Sequence, residues 1–419
     1  MKKNIFYAQS GGVTPVINAT ALGLIKSAKK SKNFFGKIYA GKNGIIGALK
    51  EELIDISKEN SKQLDSLKFT PGGAFGSCRL KLKDPVKNKK EFQRILEVFN
   101  AHNIGYFFYN GGGDSQDTTL KLSQYCKSMN YELQCIGLPK TIDNDLPITD
   151  NSPGFATVAK YIAVSTYEAS LDVASMAESS TKVFILEVMG RHAGWLAAAS
   201  GIIKNKANDP PHIILLPEVT FNSTKFLKKI NQAVKTNGYC VVVASEGIKN
   251  SKKEFISSGS DKDSFGHAQL GGVAPKLASM VTNSLKYKVH WAVSDYLQRS
   301  ARHIGSKIDV EQAFQLGKKS IEFVKQGKNE IMLTIKGKKK NGKYFWSIGH
   351  TDLRNVANKE KILPKGYIGL DGFSITKKCK DYILNLVKGE DYPSYKNGIP
   401  EYAKLKKYLV EKKLSKFEI

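Results

Sequence analysis

The sequence predicts an α/β fold built on a largely parallel sheet, and three observations support this prediction. Six short apolar runs recur along the 419 residues, each run is mostly continuous rather than alternating, and helix-length segments separate the runs. Continuous apolar runs are typical of strands that are covered on both faces, as in a parallel sheet with helices on either side.

The six runs are the predicted strands, and each of them ends in glycine or in charged residues. In open parallel sheets, ligands bind beyond the carboxyl ends of the strands, so these polar ends form one group of candidate site residues. Residues 155–178 predict a long helix, and Asn341-Gly342 between two strand-like runs predicts a hairpin. The predicted strands are 5–8, 105–109, 133–138, 183–188, 212–216 and 239–244.

The composition is that of a globular protein with a basic surface. There are 65 basic and 38 acidic side chains, which give a formal charge of +27. We interpret most of the lysines as a solvated surface and expect no nucleic-acid partner. The five cysteines form no C-x-x-C pair, which favours a reducing cytoplasm. No stretch reaches about 18 apolar residues, so we expect no membrane span.

Three glycine-rich loops follow or join the predicted strands. The first, SGG at 10–12, has the form of a phosphate cradle before a helix, or else of a plain structural turn. The second, GGAFGSCR, ends in Arg79, which suits a bidentate phosphate contact or is a surface arginine. The third, NGGGDS, places Asp114 where a carboxylate meets a metal or repels an anion; helix capping is the alternative.

Among these motifs, the segment PKTIDND at 139–145 has the residue types that are best suited to catalysis. A hydroxyl that attacks phosphorus needs a proton acceptor, and Asp143 or Asp145 suits that role while the other helps to hold magnesium. Lys140 is placed to neutralise charge on a transferring phosphoryl group. The alternative is a cluster of Asx turns without chemistry.

Three more motifs complete the candidate set. Arg191 in MGRHAG and Arg299 in YLQRS suit the grip of a substrate phosphate, and Glu246 in SEG suits the binding of sugar hydroxyls. For each of them the alternative is an exposed surface charge. His192 is interpreted as a packed or helix-start histidine rather than a base.

Taken in order, these motifs resemble one family closely, the phosphofructokinases, and within it the pyrophosphate-dependent branch. The resemblance covers about residues 1–300 and implies two Rossmann-like α/β domains with largely parallel sheets and an active site in the cleft between them. The motifs that carry it are SGGVTPVIN, GGAFGSCR, GGGDSQDT, PKTIDNDLPITD, PGFATVAKYIAVSTYEA, VFILEVMGRHAGW, SEG and YLQRS.

The resemblance implies the transfer of a phosphoryl group to O1 of fructose 6-phosphate, which gives fructose 1,6-bisphosphate in a reversible reaction of glycolysis and gluconeogenesis. It implies that Asp143 is the general base, with Lys140 and Asp114 as further catalytic residues. The other implied site residues are Gly11 (through its N–H), Gly12, Arg79, Gly112 and Gly113 for the donor; Thr141, Met189, Gly190, Arg191, Glu246, Tyr296 and Arg299 for the sugar phosphate; and Asp114 and Asp145 for the metal.

Two positions separate this chain from relatives that use ATP. Those relatives have Gly-Gly-Asp-Gly-Ser in the third loop and a glycine at the position of Lys140, whereas this loop is Gly-Gly-Gly-Asp-Ser. At about 4 Å and an effective dielectric near 20, the Asp114 carboxylate repels a nucleotide α-phosphate by ~4 kcal/mol, a factor of about 1,000 in affinity. Lys140 adds a charge that a donor without adenosine needs. Gly113 replaces the usual metal-binding aspartate.

The resemblance further implies Mg²⁺ as cofactor, fructose 6-phosphate and pyrophosphate as ligands, and a homo-oligomer, because the family's sugar site commonly draws residues from a neighbouring subunit. We expect residues 1–138 to form a donor-binding domain, with part of 250–310 returning to it. Residues 139–250 are expected to form the sugar-phosphate domain, and 311–419 a helical and hairpin segment that packs on both. Two alternatives stay open: an ATP-dependent 6-phosphofructokinase and a non-catalytic basic binding protein on the same fold.

Overall fold

Two sheets organise the molecule in the computed structural model, which describes residues 2–82, 84–262 and 268–419. Within these ranges the first sheet has eight strands, the second has four, and two further pairs of strands stand apart. The strands are β1 Asn4–Ser10, β2 Ile38–Gly41, β3 Leu53–Asp55, β4 Ser77–Cys78, β5 Ile104–Gly111, β6 Gln134–Pro139, β7 Val183–Val188, β8 Ile213–Leu215, β9 Cys240–Ser245, β10 Ser258–Lys262, β11 Ala268–Leu270, β12 Val289–Val293, β13 Ile331–Lys340, β14 Lys343–Asp352, β15 Tyr395–Lys396 and β16 Ile399–Pro400.

Helices fill most of the intervals between the strands. They are α1 Ile17–Lys30, α2 Ile45–Leu49, α3 Ser61–Asp65, α4 Lys89–Ala101, α5 Gly113–Ser128, α6 Phe155–Met176, α7 Trp195–Ala199, α8 Ser223–Asn237, α9 Val273–Leu285, α10 Asp295–Ser300, α11 Lys307–Lys325 and α12 Lys377–Leu386.

The first sheet has the order β14-β13-β6-β5-β1-β2-β3, with β4 paired to the end of β1. The neighbours β6, β5, β1 and β2 are parallel, whereas β3 and β14 run antiparallel to their partners. Ile5 and Tyr7 pack on one face with side chains of α1 and α11. Phe6 and Ala8 pack on the other face with α4 and α5. Burial on both faces explains why the strand sequences are continuously apolar.

The second sheet, β12-β7-β9-β8, is entirely parallel. Leu186 and Val188 face a core shared with α6, α7 and α12. Val183 and Ile185 face the opposite core, which is shared with α8 and α9. The fold is therefore α/β with two mostly parallel sheets, as predicted.

The six predicted strands, the long helix and the hairpin are all confirmed. The hairpin turn at Asn341-Gly342 has positive φ at both residues, +52° and +70°, which is the conformation that selects this residue pair. No helix within the described ranges is both long and apolar enough to cross a membrane.

The domain bounds stay predictions. Within 250–310, β12 pairs with β7 of the second sheet, whereas Arg302 donates to the carbonyl oxygen of Lys68 in the first half of the chain. Residues 307–352 also contact the first half: α11 packs on α1, and β13 pairs with β6. The physical reason is that β6 would otherwise leave an unpaired apolar edge, which β13 covers with its own buried residues.

Candidate active site

The first glycine loop ends β1 and is surrounded by cations. Lys140 Nζ donates a hydrogen bond to the carbonyl oxygen of Gly12 at 2.6 Å. A methyl group on Gly12 would lie 3.2 Å from Arg299 Nη1 and 3.4 Å from Arg79 Nη2. Gly11 has φ +72°, which favours glycine, and its open side faces Lys140 Nζ. Three positive side chains therefore meet at this turn, as a phosphate site requires.

The N–H of Gly11, which is expected to contact the donor, has a partner within the chain in this structure, and its role stays a prediction. That N–H donates to the carbonyl oxygen of Cys78 at 2.9 Å, and the Ser77 hydroxyl donates to the carbonyl oxygen of Gly11 at 2.7 Å. The reason is the pairing of β4 with β1, in which Ser10 lies opposite Cys78. The peptide of Gly11 therefore joins the first glycine loop to β4.

The third glycine loop forms the start of α5. Gly112 precedes the helix, Gly113 is its first residue, and Asp114 lies in the first turn. The Asp114 carboxylate forms a salt bridge with Lys81. The N–H of Lys140 donates to the carbonyl oxygen of Gly111 at 3.3 Å, so this loop and the Lys140 segment are neighbours. The N-terminus of a helix attracts anions. The negative charge of Asp114 in the first turn repels them.

Lys140 is almost fully buried, with 3 % of its surface exposed. Burial lowers the pKa of its ammonium group to about 7, and the nearby Arg79 adds to that effect. A lysine held in this way binds a proton more readily when an anion arrives. It can therefore respond to a phosphate ligand with a full positive charge.

The two carboxylates that follow Lys140 share one environment. Burial raises the pKa of Asp143 to about 8, with Asp145 and Glu246 adding to the rise. Burial also raises the pKa of Asp145, and the carboxylate of Glu360 contributes. The backbone N–H of Asp143 donates to the Thr141 hydroxyl at 3.0 Å, which fixes the loop. A carboxylate that titrates close to neutral pH is suited to accept and return a proton.

The ends of β7 and β9 form the opposite wall. The N–H of Gly190 donates to Glu246 Oε1 at 3.3 Å, and burial raises the pKa of Glu246. Met189 donates its N–H to Gln298 at 3.3 Å. Because Arg191 and Glu246 both act on the pKa of Asp143, the strand ends of the second sheet face the loop that leaves the first.

Arg299 connects the two walls. Its guanidinium group lies over the ring of Tyr296, 3.6 Å from the centroid, and its Nη1 approaches Gly12 of the first loop. The predicted residues of both sheets thus lie around one cleft, and their individual roles stay predictions.

Sequence reasoning missed three residues at this site. Lys81 pairs with Asp114. The sequence contained a signal for Lys81, because a residue two positions after Arg79 lies on the same face of an extended segment as Arg79. Lys361 donates its N–H to the carbonyl oxygen of Asp145 at 2.6 Å, across 216 residues, and no local signal predicts that contact. Gln298 lies within the motif YLQRS, but its contact with the N–H of Met189 was not predicted.

One carboxylate of the site is suited to a cation. Among the residues that the structure describes, Asp145 Oδ1 is buried and has no hydrogen-bond partner, whereas the Asp114 carboxylate is paired with Lys81. Within the described ranges no three His, Cys, Asp or Glu side chains form a ready-made metal cluster. A hard cation that relies on one or two carboxylates and on ligand phosphates fits such a site.

Comparison with known proteins is consistent with this geometry. The phosphofructokinase family model matches residues 4–324, and the chain belongs to the phosphofructokinase family.

Close relatives within the family match this chain over nearly its full length. A protein of Halomonas elongata named pyrophosphate–fructose 6-phosphate 1-phosphotransferase is 53 % identical over 99 % of both chains, and one of Methylococcus capsulatus with the same name is 51 % identical over 99 % of this chain and 98 % of its own. The crystal structure of the pyrophosphate-dependent phosphofructokinase of Marinobacter aquaeolei has 55 % identity over 100 % of both chains and a TM-score of 0.91.

Proposed function

We propose that the chain transfers a phosphoryl group between pyrophosphate and O1 of fructose 6-phosphate. The observation that carries the proposal is that one buried loop holds Lys140 against the Gly11–Gly12 turn and Asp143 beside Arg191 and Glu246. A cation for a compact phosphate donor and a proton acceptor for a sugar hydroxyl therefore lie three residues apart in one cleft. The names of the full-length relatives support the same activity.

In the forward direction, Asp143 accepts the proton of the O1 hydroxyl while O1 attacks one phosphorus atom of pyrophosphate. The new bond joins O1 to phosphorus, the bridging P–O bond breaks, and inorganic phosphate leaves. Lys140, Arg79 and Arg299 stabilise the negative charge of the transferring and leaving groups. A pKa of about 8 for Asp143 lets the same carboxyl return the proton when the reaction runs backwards.

Phosphofructokinases generally use a divalent metal. We propose that it is Mg²⁺, because one or two carboxylates together with substrate phosphates are its usual ligands. Asp145 is the favoured ligand of the two predicted ones because its Oδ1 is buried and has no hydrogen-bond partner in the described part of the chain, while Lys81 pairs with Asp114. Bound there, the ion supplies positive charge to the phosphate oxygens. An Asp145→Asn variant is expected to need a higher Mg²⁺ concentration for half-maximal activity; an unchanged requirement contradicts this assignment.

We further propose that Asp114 selects the donor. Asp114 lies in the first turn of α5, the position at which the resemblance implies the α-phosphate of a nucleotide donor, and this supports the proposal. The Lys81 ion pair offsets part of its repulsion for a smaller donor. The direct test offers fructose 6-phosphate with either pyrophosphate or ATP at fixed free Mg²⁺ and follows fructose 1,6-bisphosphate. Robust turnover with ATP and none with pyrophosphate would overturn the donor assignment.

A paired substitution sharpens that test. Asp114→Gly combined with Lys140→Gly is expected to lose activity with pyrophosphate and to improve the ratio of ATP to pyrophosphate use. Each single substitution serves as the control for the pair. An unchanged donor ratio in the double variant removes the role that we give to both residues.

We propose that the chain forms a homo-oligomer through the outer surface of α6, β12 and α10. This surface exposes large apolar side chains, with Leu171 55 % and Leu297 65 % exposed, and β12 is an edge strand. Exposed apolar patches of this kind mark interfaces, and Tyr296 of the sugar side lies within it. Sedimentation of a Leu171→Asp, Leu297→Asp variant is expected to show a monomer with a raised KM for fructose 6-phosphate; an unchanged oligomer contradicts the proposal.

We propose a cytoplasmic location for the enzyme. All five cysteines are buried and none is paired, which is the usual state of thiols in a reducing compartment. Fractionation of the native organism's cells is expected to recover the protein with other cytoplasmic enzymes; recovery from an oxidising compartment contradicts this location.

A further inference from the structure

A buried asparagine lies beneath the glycine loop that leads to Arg79. Asn18 is the second residue of α1, and none of its surface is exposed. Asparagine is a poor helix former, and a buried amide group is costly unless its donors and acceptors are paired. The hydrogen bonds of Asn18 therefore have to account for its place in the first turn of the helix.

Every hydrogen-bonding position of this amide is used, and three of the four bonds go to one loop. Asn18 Nδ2 donates to the carbonyl oxygens of Thr70 and Gly72, both at 2.8 Å. Asn18 Oδ1 accepts from the N–H of Ala74 at 3.0 Å and from Gln9 Nε2 at 2.8 Å. An amide has two N–H donors and two acceptor lone pairs, so this one is saturated. The start of the second glycine loop is thus wrapped around a single side chain.

The loop itself provides little to fix its conformation. Residues 70–76 contain three glycines and form no helix or strand. Gly72 and Gly76 have φ +73° and +81°, in the left-handed region that glycine enters freely. Ordering a glycine-rich segment costs more backbone entropy than ordering other residues. A side chain that bonds three backbone groups of this segment offsets that cost and selects one conformation.

The end of the loop is tied to the same part of the chain. The Ser77 hydroxyl donates to the carbonyl oxygen of Gly11 at 2.7 Å, and the N–H of Gly11 donates to the carbonyl oxygen of Cys78 at 2.9 Å. Arg79 follows directly, and a methyl group on Gly12 would lie 3.4 Å from its Nη2. The bonds at both ends of the loop therefore fix where this guanidinium group meets the first glycine loop.

We propose that Asn18 is a positioning residue for the phosphoryl donor, because its amide holds the second glycine loop in the conformation that brings Arg79 to the Gly11–Gly12 turn. The kinetic half of this inference rests on the proposed phosphotransferase activity, whereas the structural half, the ordering of the loop, does not. Asn18 lies beneath the loop, so its removal acts on the reaction through Arg79.

The structural half is tested by hydrogen–deuterium exchange of the full-length chain. Asn18→Ala removes all four bonds of the amide and is expected to speed exchange in residues 70–79 by about tenfold. The matched control is Leu24→Ala, which truncates another fully buried side chain of α1 and leaves these bonds in place. Unchanged exchange in Asn18→Ala overturns the inference, as does equal acceleration in the control. Asn18→Ser keeps one short donor and carries the same test if the alanine variant does not fold.

The kinetic half is tested by a double-mutant cycle. Asn18→Ala is expected to lower kcat/KM for pyrophosphate by about 100-fold, because a catalytic charge misplaced by about 1 Å loses that much, with the KM for fructose 6-phosphate within about twofold of the native value. In an Arg79→Met background the further loss is expected to fall below about threefold. The control background is Arg299→Met, which removes a cation of the same turn that belongs to another segment. There the full loss is expected, and equal losses in both backgrounds overturn the inference.

The outcome separates this inference from the proposed function. A chain that turns over pyrophosphate, but in which the effects of Asn18→Ala and Arg79→Met are independent, refutes the inference alone. A chain without pyrophosphate activity, in which Asn18→Ala still speeds exchange in residues 70–79, refutes the proposed function and the kinetic half. It leaves Asn18 as the anchor of the loop.

Discussion

Removal of the Lys140 charge is the most informative single perturbation of this site. Its Nζ lies 2.6 Å from the carbonyl oxygen of Gly12, and a methyl group on Gly11 would lie 3.6 Å from it, so a phosphate at this turn comes within ordinary contact distance of the ammonium. At about 4 Å and an effective dielectric near 20, a unit charge pair contributes ~4 kcal/mol. We therefore expect Lys140→Met to lower kcat/KM for pyrophosphate by about 100- to 1,000-fold.

The same substitution is expected to lower activity but to raise the stability of the folded chain. Burial lowers the pKa of Lys140 to about 7 in the folded chain, below its unfolded value, so its charge destabilises the fold most below pH 7 and progressively less as the pH rises. Lys140→Met is expected to unfold at a higher temperature than the native chain at pH 6, with a smaller difference at pH 10. A variant that is more stable yet inactive has lost a functional charge rather than its structure.

The assay measures initial rates in both directions at fixed free Mg²⁺. The control is Lys121→Met, which also removes one partly buried lysine charge from the same half of the molecule, where Lys121 pairs with Asp117. A Lys140→Met enzyme whose kcat/KM for pyrophosphate stays within threefold of the native value refutes the electrostatic reasoning. A loss of kcat/KM of equal size in Lys121→Met refutes the assignment of the effect to the position of Lys140 in the site.

Three further predictions follow from buried or paired charges. Asp143→Asn is expected to lose at least 100-fold in kcat. Its gain in stability over the native chain should widen between about pH 4 and pH 8, because the raised pKa of Asp143 makes the ionised carboxylate costly in the folded chain. A difference in unfolding temperature that stays constant over this pH range contradicts the prediction. Lys81→Met is expected to raise the KM for pyrophosphate, and adding Asp114→Asn should restore part of the loss; additive effects in this cycle would exclude coupling. Arg302→Met leaves the Asp391 carboxylate without its buried partner and should lower the free energy of unfolding by about 3 kcal/mol in denaturant titration, whereas an unchanged midpoint contradicts that role.

Much of the fold follows from local patterns. The run that became β9, Cys240–Ser245, is apolar at consecutive positions because both of its faces are covered, and this pattern is readable in the sequence. Asn341-Gly342 predicts its hairpin because few other pairs tolerate two positive φ angles. The polar ends of these strands were predicted to converge, since parallel strands place their carboxyl ends at one edge.

The sequence by itself determined which residue types stand at the strand ends, and therefore that Lys140 and Asp143 face a common cleft. Only the tertiary structure decided their partners: Lys81 for Asp114, Lys361 for the loop at Asp145, and Cys78 for the N–H of Gly11. Strand and turn propensities act between near neighbours and leave a local signature. A salt bridge or a hydrogen bond between remote segments depends on how sheets and loops pack, and the chain carries no short-range pattern for it.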